Sequence, residues 1–250
     1  MRVEAFLLCW NEIDIMRLVI SHYQKFCDHI TILDNFSTDG SDKLAREMGC
    51  QVKQFGNQFF DDHENRNIKN NIWKGNQSDF VFIADFDEIP FFSYVHTNDE
   101  YEWDLSMTDL VTHLQIEKEA GTTIFNTIGW QIMSEDWPAN DLLEITTGYE
   151  FSNYAKSIVF NPQALTEINY GFGAHECNPK GNVVWSELPL YVLHYKHIGG
   201  VQRTIDRYKQ YQPRMSKNNR KFGHGIHYNR TPASIRQEWA ERMAKSKPLI

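Results

Sequence analysis

Apolar and polar positions alternate in blocks over the first part of the chain. Residues 3–10 (VEAFLLCW) form an apolar run too short for a helix and predict a buried strand. From Glu12 to about Cys27, Ile13, Met16, Ile20 and Tyr23 recur at helical spacing. A second strand is predicted over 29–35 (HITILDN), followed by a turn, FSTDGS. Residues 41–49 read as a short helix with Gly49 past its end. A third strand (50–56), a helix from Asp62 to Lys74 and a fourth strand (79–89, DFVFIADFDEI) complete the series. This order predicts a mostly parallel sheet with helices on both faces. Such sheets bind ligands at the carboxyl ends of their strands. The polar clusters fall there: Trp10-Asn11-Glu12, Asp34-Asn35 and Asp85-Phe86-Asp87-Glu88.

The second half has a different rhythm. Ser106 to Asp109 resembles a capping box opening a helix to about Ala120. Residues 122–133, 155–161 and 188–198 predict strands, and Gly199 to Gln212 a helix. The stretch 213–230 is basic and turn-rich and predicts a loop. Thr231-Pro232 opens a last helix with Ile235, Trp239 and Met243 on one stripe. There are no internal repeats and no low-complexity tract.

A chain of 250 residues can bury a large core as one domain. The formal net charge of -8 argues against broad nucleic-acid or anionic-membrane binding. It also means that a diphosphate substrate would need local cations or a metal. Aromatic residues at 14% suit a large core, and also suit sugars, whose C–H faces pack on rings. Cys9, Cys27, Cys50 and Cys177 form no CxxC pair, which predicts free thiols in a reducing compartment. Asn11, Glu12 and Asp14 interrupt the apolar start with no cleavage site, so no signal peptide is expected. No stretch reaches the roughly 18 apolar residues of a membrane helix. The expectation is a soluble, cytoplasmic protein without an integral membrane segment.

The strongest chemical signal is FIADFDEIP. Residues two apart in an extended backbone share a side, so Asp85 and Asp87 are expected to face one point. Two such carboxylates repel unless a cation lies between them, and a divalent metal is the natural occupant. The plain alternative is a solvated acidic turn; the apolar run FVFIA ahead of the pair favours a site.

The segments LLCWNEIDIMRLVISHY, ITILDNFSTDGS and FVFIADFDEIPF resemble, in order and spacing over about 3–92, the donor-binding half of glycosyltransferase family 2 and related GT-A enzymes. YAKSIVFNP and LHYKHI are similar to that family's acceptor half, less specifically. The resemblance implies an α/β GT-A fold in a single domain: a Rossmann-like, mostly parallel sheet flanked by helices, with a mixed C-terminal acceptor half. Residues 1–92 would bind the nucleotide sugar, 106–212 would complete the acceptor and metal site, and 213–250 would form a loop and helix. It implies divalent-metal-dependent transfer from a nucleotide-sugar donor to a saccharide or glycan acceptor.

Carried over by residue, Asn11 and Asp34 would contact the donor, Asp34 at its base or ribose. Asp85 would meet the ribose, the metal or a metal-bound water, and Asp87 would ligate Mn²⁺ or Mg²⁺. A late-strand histidine would complete the metal site; His194 is favoured, with His175 and His197 as competitors and a hydrogen-bonded core histidine as the plain alternative. Arg66 and Lys156 are candidate phosphate partners. The general base of an inverting reaction is expected at Asp136 or Glu135, or else at Glu176, although the residues around Glu135-Asp136 depart from the family's pattern. Trp137 beside them could stack on a sugar. Inversion rests on the resemblance alone.

Three rival readings are weaker. A nucleotidyltransferase would cradle phosphates in a Gly-rich loop after the first strand, where this chain has CWNEID. A phosphatase or mutase would carry D-x-D on the first strand. A non-catalytic sugar-binding module would have no need of a diphosphate site.

Overall fold

Val3–Cys9 (β1) is buried along its whole length. Ala5, Leu7 and Cys9 enter one core, and Phe6 and Leu8 enter a second on the other face. Burial on both sides explains why this run shows no apolar–polar alternation. Met16–Tyr23 (α1), His29–Asp34 (β2), Ser41–Glu47 (α2), Gln51–Gln54 (β3), Asp62–Asn71 (α3) and Phe80–Asp85 (β4) follow. In this computed structural model, residues 1–92, 95–97, 100–102 and 107–249 are described. Ser106, and with it the expected capping box, lies outside them.

The chain continues through Glu88–Phe91 (β5), Val95–Thr97 (β6), Glu100–Glu102 (β7), Met107–Ala120 (α4), Thr127–Met133 (β8), Gly148–Glu150 (β9) and Val159–Phe160 (β10). Leu165–Glu167 (β11), Lys180–Gly181 (β12), Leu190–His197 (β13), Gly200–Arg214 (α5), Lys217–Phe222 (α6) and Pro232–Met243 (α7) complete it. The main sheet has the order β10-β4-β1-β2-β3, parallel except for β10. The fold is therefore the expected α/β class, a mostly parallel sheet with helices around it. A second sheet, β5-β13-β8-β9, forms the mixed C-terminal part. No helix among the described residues is long and apolar enough to cross a membrane.

Several boundaries differ from the sequence reading. The fourth strand stops at Asp85; Phe86 and Asp87 turn, and β5 leaves to join the second sheet. Tyr23 of α1 donates its hydroxyl to the Glu88 carbonyl at 2.7 Å, and His22 Nε2 lies 3.1 Å from the Pro90 carbonyl. These bonds dock β5 on α1. The expected strand 155–161 shrinks to Val159–Phe160. The expected loop 213–230 instead contains α6 and a 3-10 turn at Ile226–Asn229. Ser216 caps α6 by accepting the Asn219 amide N–H at 3.0 Å, which makes a helix from a basic, turn-like stretch.

Candidate active site

Parallel pairing sets Cys9 of β1 against Asp34 of β2, and Leu8 against Asp85 of β4. The carboxyl ends of three strands therefore open on one edge. A cavity of about 250 Å³ lies there, walled by both halves of the chain. Trp10, Glu12, Asn35, Asp85 and Asp87 come from the first half; Tyr154, Lys156, His194, Lys196 and residues of α5 come from the second.

The two aspartates of the D-x-D segment part company. Val81 and Ile83 point into the core that includes Ile68 and Ile72 of α3, and Asp85 continues that alternation. It meets Lys69 of α3 at 2.7 Å through Oδ1 and Lys156 at 3.0 Å through Oδ2. Its own amide N–H donates to Glu88 Oε2 at 2.9 Å, and Lys156 also donates to Glu88 Oε1. The result is a neutral set of two lysines and two carboxylates, with Glu88 wholly buried. Burial opposes ionisation of Asp85, yet Lys69 and Lys156 outweigh it and hold its carboxyl well below the usual range.

Asp87 lies in the turn after β4 and faces His194. Strand β13 pairs His194 with Glu88 of β5 on one side and with Gln131 of β8 on the other. The Gln131 amide orientation is set, because its Nε2 donates to the carbonyls of Ile132 at 2.7 Å and His194 at 2.9 Å. Its Oε1 then accepts from His194 Nδ1 at 2.9 Å, so Nδ1 carries the proton. His194 Nε2 is left as a lone pair, 3.5 Å from Asp87 Oδ2. Burial, then Lys196 and Lys156, push His194 well below its usual range and keep it neutral. Burial and the nearby Asp85 push Asp87 upward. An imidazole lone pair facing a carboxylate is satisfied by a proton on the carboxyl group or by a cation between the two.

That donor set fits a divalent ion whose remaining ligands come from a substrate or water. The protein supplies one carboxylate and one imidazole; among the described residues, no group of three or more His, Cys, Asp or Glu forms a metal site. Asp85 lines the same cleft, with each of its oxygens on a lysine.

The other expected residues are distributed unevenly. Lys156, Arg66 and His175 line the cleft, with Arg66 4.3 Å over the Phe172 ring and His175 Nδ1 on the Asn153 carbonyl. Asp34 is buried behind its neighbour Asn35, its oxygens accepting the Ser37 amide at 3.2 and 3.3 Å. Asn11 takes a positive φ of 51°, and its side-chain oxygen accepts the Thr38 amide at 2.7 Å. His197 points elsewhere: its ring meets Thr204 Oγ1 at 3.2 Å and accepts from Arg242 at 3.0 Å.

The candidate bases are not brought to the cleft. Glu135 is exposed and accepts the Trp239 indole N–H at 2.7 Å. Asp136 is exposed, and Trp137 packs beneath the Arg203 guanidinium at 4.7 Å. Glu176 is exposed beside Gly171. None of these acids is among the cavity's wall residues.

Sequence reasoning missed five cations of the wall: Lys69, Lys196, Arg203, Arg207 and Arg214. Arg203, Arg207 and Arg214 lie on one stripe of α5, at intervals of four and seven, and that spacing was visible in the sequence. Arg207 bonds to Glu12 and to the carbonyls of Trp10 and Asn11, tying α5 to the end of β1. Arg214 lies 3.7 Å over the Trp10 ring and donates to Asn35 Oδ1 at 2.6 Å.

No protein-family profile and no curated protein matches the chain. Among solved structures, it is similar to residues 1–349 of TarS from S. aureus, at 10% identity and a TM-score of 0.45. That match covers 84% of this chain and 63% of the other, so the chain spans less than two thirds of that protein fragment. It is also similar to glucosyl-3-phosphoglycerate synthase from Mycobacterium tuberculosis, crystallised with Mn²⁺, UDP and glucosyl-3-phosphoglycerate, at 16% identity and a TM-score of 0.33, over 51% of this chain and 44% of that one. A third is a CMP:2-keto-3-deoxy-manno-octonic acid synthetase with CTP, at 7% identity and a TM-score of 0.34, over 52% and 53%. The α/β assignment stands on the chain's own strand order.

Proposed function

We propose that the chain is a GT-A type glycosyltransferase that moves a sugar from a nucleotide-diphosphate sugar to a saccharide or glycan acceptor. The observation that carries this reading is Asp87 Oδ2 facing the His194 Nε2 lone pair at 3.5 Å, in a cleft at the carboxyl ends of a parallel sheet. Asp87 and His194 would hold Mn²⁺ or Mg²⁺. When bound, such an ion stabilises the negative charge that grows on a nucleoside diphosphate as the sugar C1 bond breaks. Arg66 presents positive charge to the same cleft, and Lys156 lines it beside Asp85 and Glu88; both would face phosphate oxygens. Asp85 fixes Lys69 and Lys156 in place. Tyr154 stacks on the His194 ring at 3.9 Å, holding its plane and keeping water from that face. Inversion remains the outcome that the resemblance implies; no described carboxylate is assigned as the base. The four thiols are unpaired, which supports a reducing, cytoplasmic setting as part of this proposal.

The test is a titration of UDP, GDP and dTDP against the protein, with Mn²⁺ and with chelator. At least one nucleotide should bind in a metal-dependent way, and His194→Ala and Asp87→Ala should each remove that dependence. Absence of binding by all three under every condition would overturn the reading.

A further inference from the structure

The cations of the cleft are not equally matched by acids. Lys69 and Lys156 are neutralised by Asp85 and Glu88, while Arg207 and Arg203 share Glu12, with Asp14 at 3.6 Å from Arg203. Lys196, like Arg66 and Arg214, has no such partner: among the described residues, no carboxylate forms an ion pair with it. Its ammonium instead lies 4.9 Å from the Tyr228 ring centre, 5.3 Å from that of Tyr208, and 3.4 Å from the Tyr228 hydroxyl. Both rings line the cavity, as does Lys196 itself. A half-buried cation flanked by two tyrosines, with no direct ion pair and Asp87 as the carboxylate that acts on it from a distance, keeps part of its field unanswered, and an anion from a ligand would answer it. Lys196 and His194 both line the cleft from β13, two positions apart, on the order of 7 Å along an extended strand. That offset leaves room for an anion at Lys196 beside a diphosphate held at Asp87 and His194. The cage is built by α5 and the turn at Ile226–Asn229, in the second half of the chain.

Resting on the transferase reading above, we propose that Lys196 is a specificity-determining residue that binds an anionic group of the acceptor. The acceptor is then a saccharide bearing a phosphate or a carboxylate, with Tyr208 and Tyr228 packing beside that group.

Calorimetric titration of the full chain tests this with three probes: glucose 6-phosphate, glucuronate and uncharged methyl glucoside. At least one charged sugar should bind about tenfold or more tightly than methyl glucoside, and which one does distinguishes phosphate from carboxylate. Lys196→Met should reduce that advantage to nothing, while Lys196→Arg keeps most of it. Lys196→Gln carries the same expectation should Met not be tolerated. Affinity for a nucleoside diphosphate with Mn²⁺ should stay within about twofold in the Met or Gln variant. Equal binding of charged and uncharged sugars, an unchanged advantage without the lysine, or an equal loss of nucleotide binding would each overturn the proposal. Selective binding of a charged sugar without any nucleotide binding would support the anion site and count against the transferase reading. The reverse pattern would overturn the anion site and leave that reading intact.

Discussion

Asp85 and Asp87 are two residues apart and should respond in opposite ways to loss of charge. Asp85→Asn leaves two almost fully buried ammonium groups facing Glu88 alone. Removing one partner of a buried charged set typically destabilises, here on the order of 1–3 kcal/mol because Asp85 itself is 36% exposed while both lysines are buried. Asp87→Asn removes a carboxylate whose ionisation burial and Asp85 already oppose, so the metal-free protein should be as stable as wild type or more so. Urea unfolding in chelator checks both, and equal loss in the two variants would refute the division of roles. His22 gives a pH prediction. Burial lowers it to about 4 from 6.5, while its bond to the Pro90 carbonyl works the other way. The native state then binds fewer protons than the unfolded chain. His22 contributes stability that is full above about pH 6.5 and is lost as pH falls toward about 4, up to about 3 kcal/mol. Urea midpoints measured across that range should fall less steeply in His22→Gln than in wild type.

Helix α5 begins where two glycines adopt positive φ, 73° at Gly199 and 86° at Gly200. A Cβ on Gly199 would lie 2.4 Å from the Trp137 indole nitrogen. Gly199→Ala therefore meets both an unfavourable backbone region and a clash, and should cost about 1–3 kcal/mol. Trp137→Ala removes the clash alone, so Gly199→Ala should cost less in that background; thermal unfolding of the four proteins measures the difference. The result matters for function because α5 carries Arg203 and Arg207 to the cleft. Much of this level was legible beforehand: β1, β2 and β4 have the apolar runs of strands covered on both faces, and the stripe of α7 appears with Ile235 and Trp239 buried. Strand β5 was not, because FDEIPF continues the apolar run of β4 and nothing local marks the turn at Phe86-Asp87. The short Val159–Phe160 strand was overestimated, since the chain just before it turns tightly, the Lys156 amide donating to the Tyr154 carbonyl and the Ile158 amide to the Lys156 carbonyl, each at 2.8 Å.

The molecule as a whole is acidic, at -8, yet Arg66, Lys69, Lys156, Arg203, Arg207 and Arg214 converge on one cleft. A nucleoside diphosphate bound as proposed would be drawn to that local field against the overall charge. Its affinity should fall as NaCl is raised from about 50 to 500 mM, because screening weakens a cleft exposed to solvent; an affinity that does not change with salt would show that these cations do not face the ligand. Sequence by itself determined the α/β order and the polar strand ends, because strand runs are local properties, while Asp87 and His194 were singled out as candidates through the family resemblance. It did not determine that Asp85 belongs to two lysines. Those lysines come from α3 and from residue 156, and only packing places them at the end of β4. Nor did it place His194 opposite Glu88, since that register joins strands about a hundred residues apart. The exclusion of Glu135, Asp136 and Glu176 from the cleft, and the gathering of Lys196 with Tyr208 and Tyr228, have the same cause: residues distant in sequence become neighbours only when the second sheet and α5 close against the first.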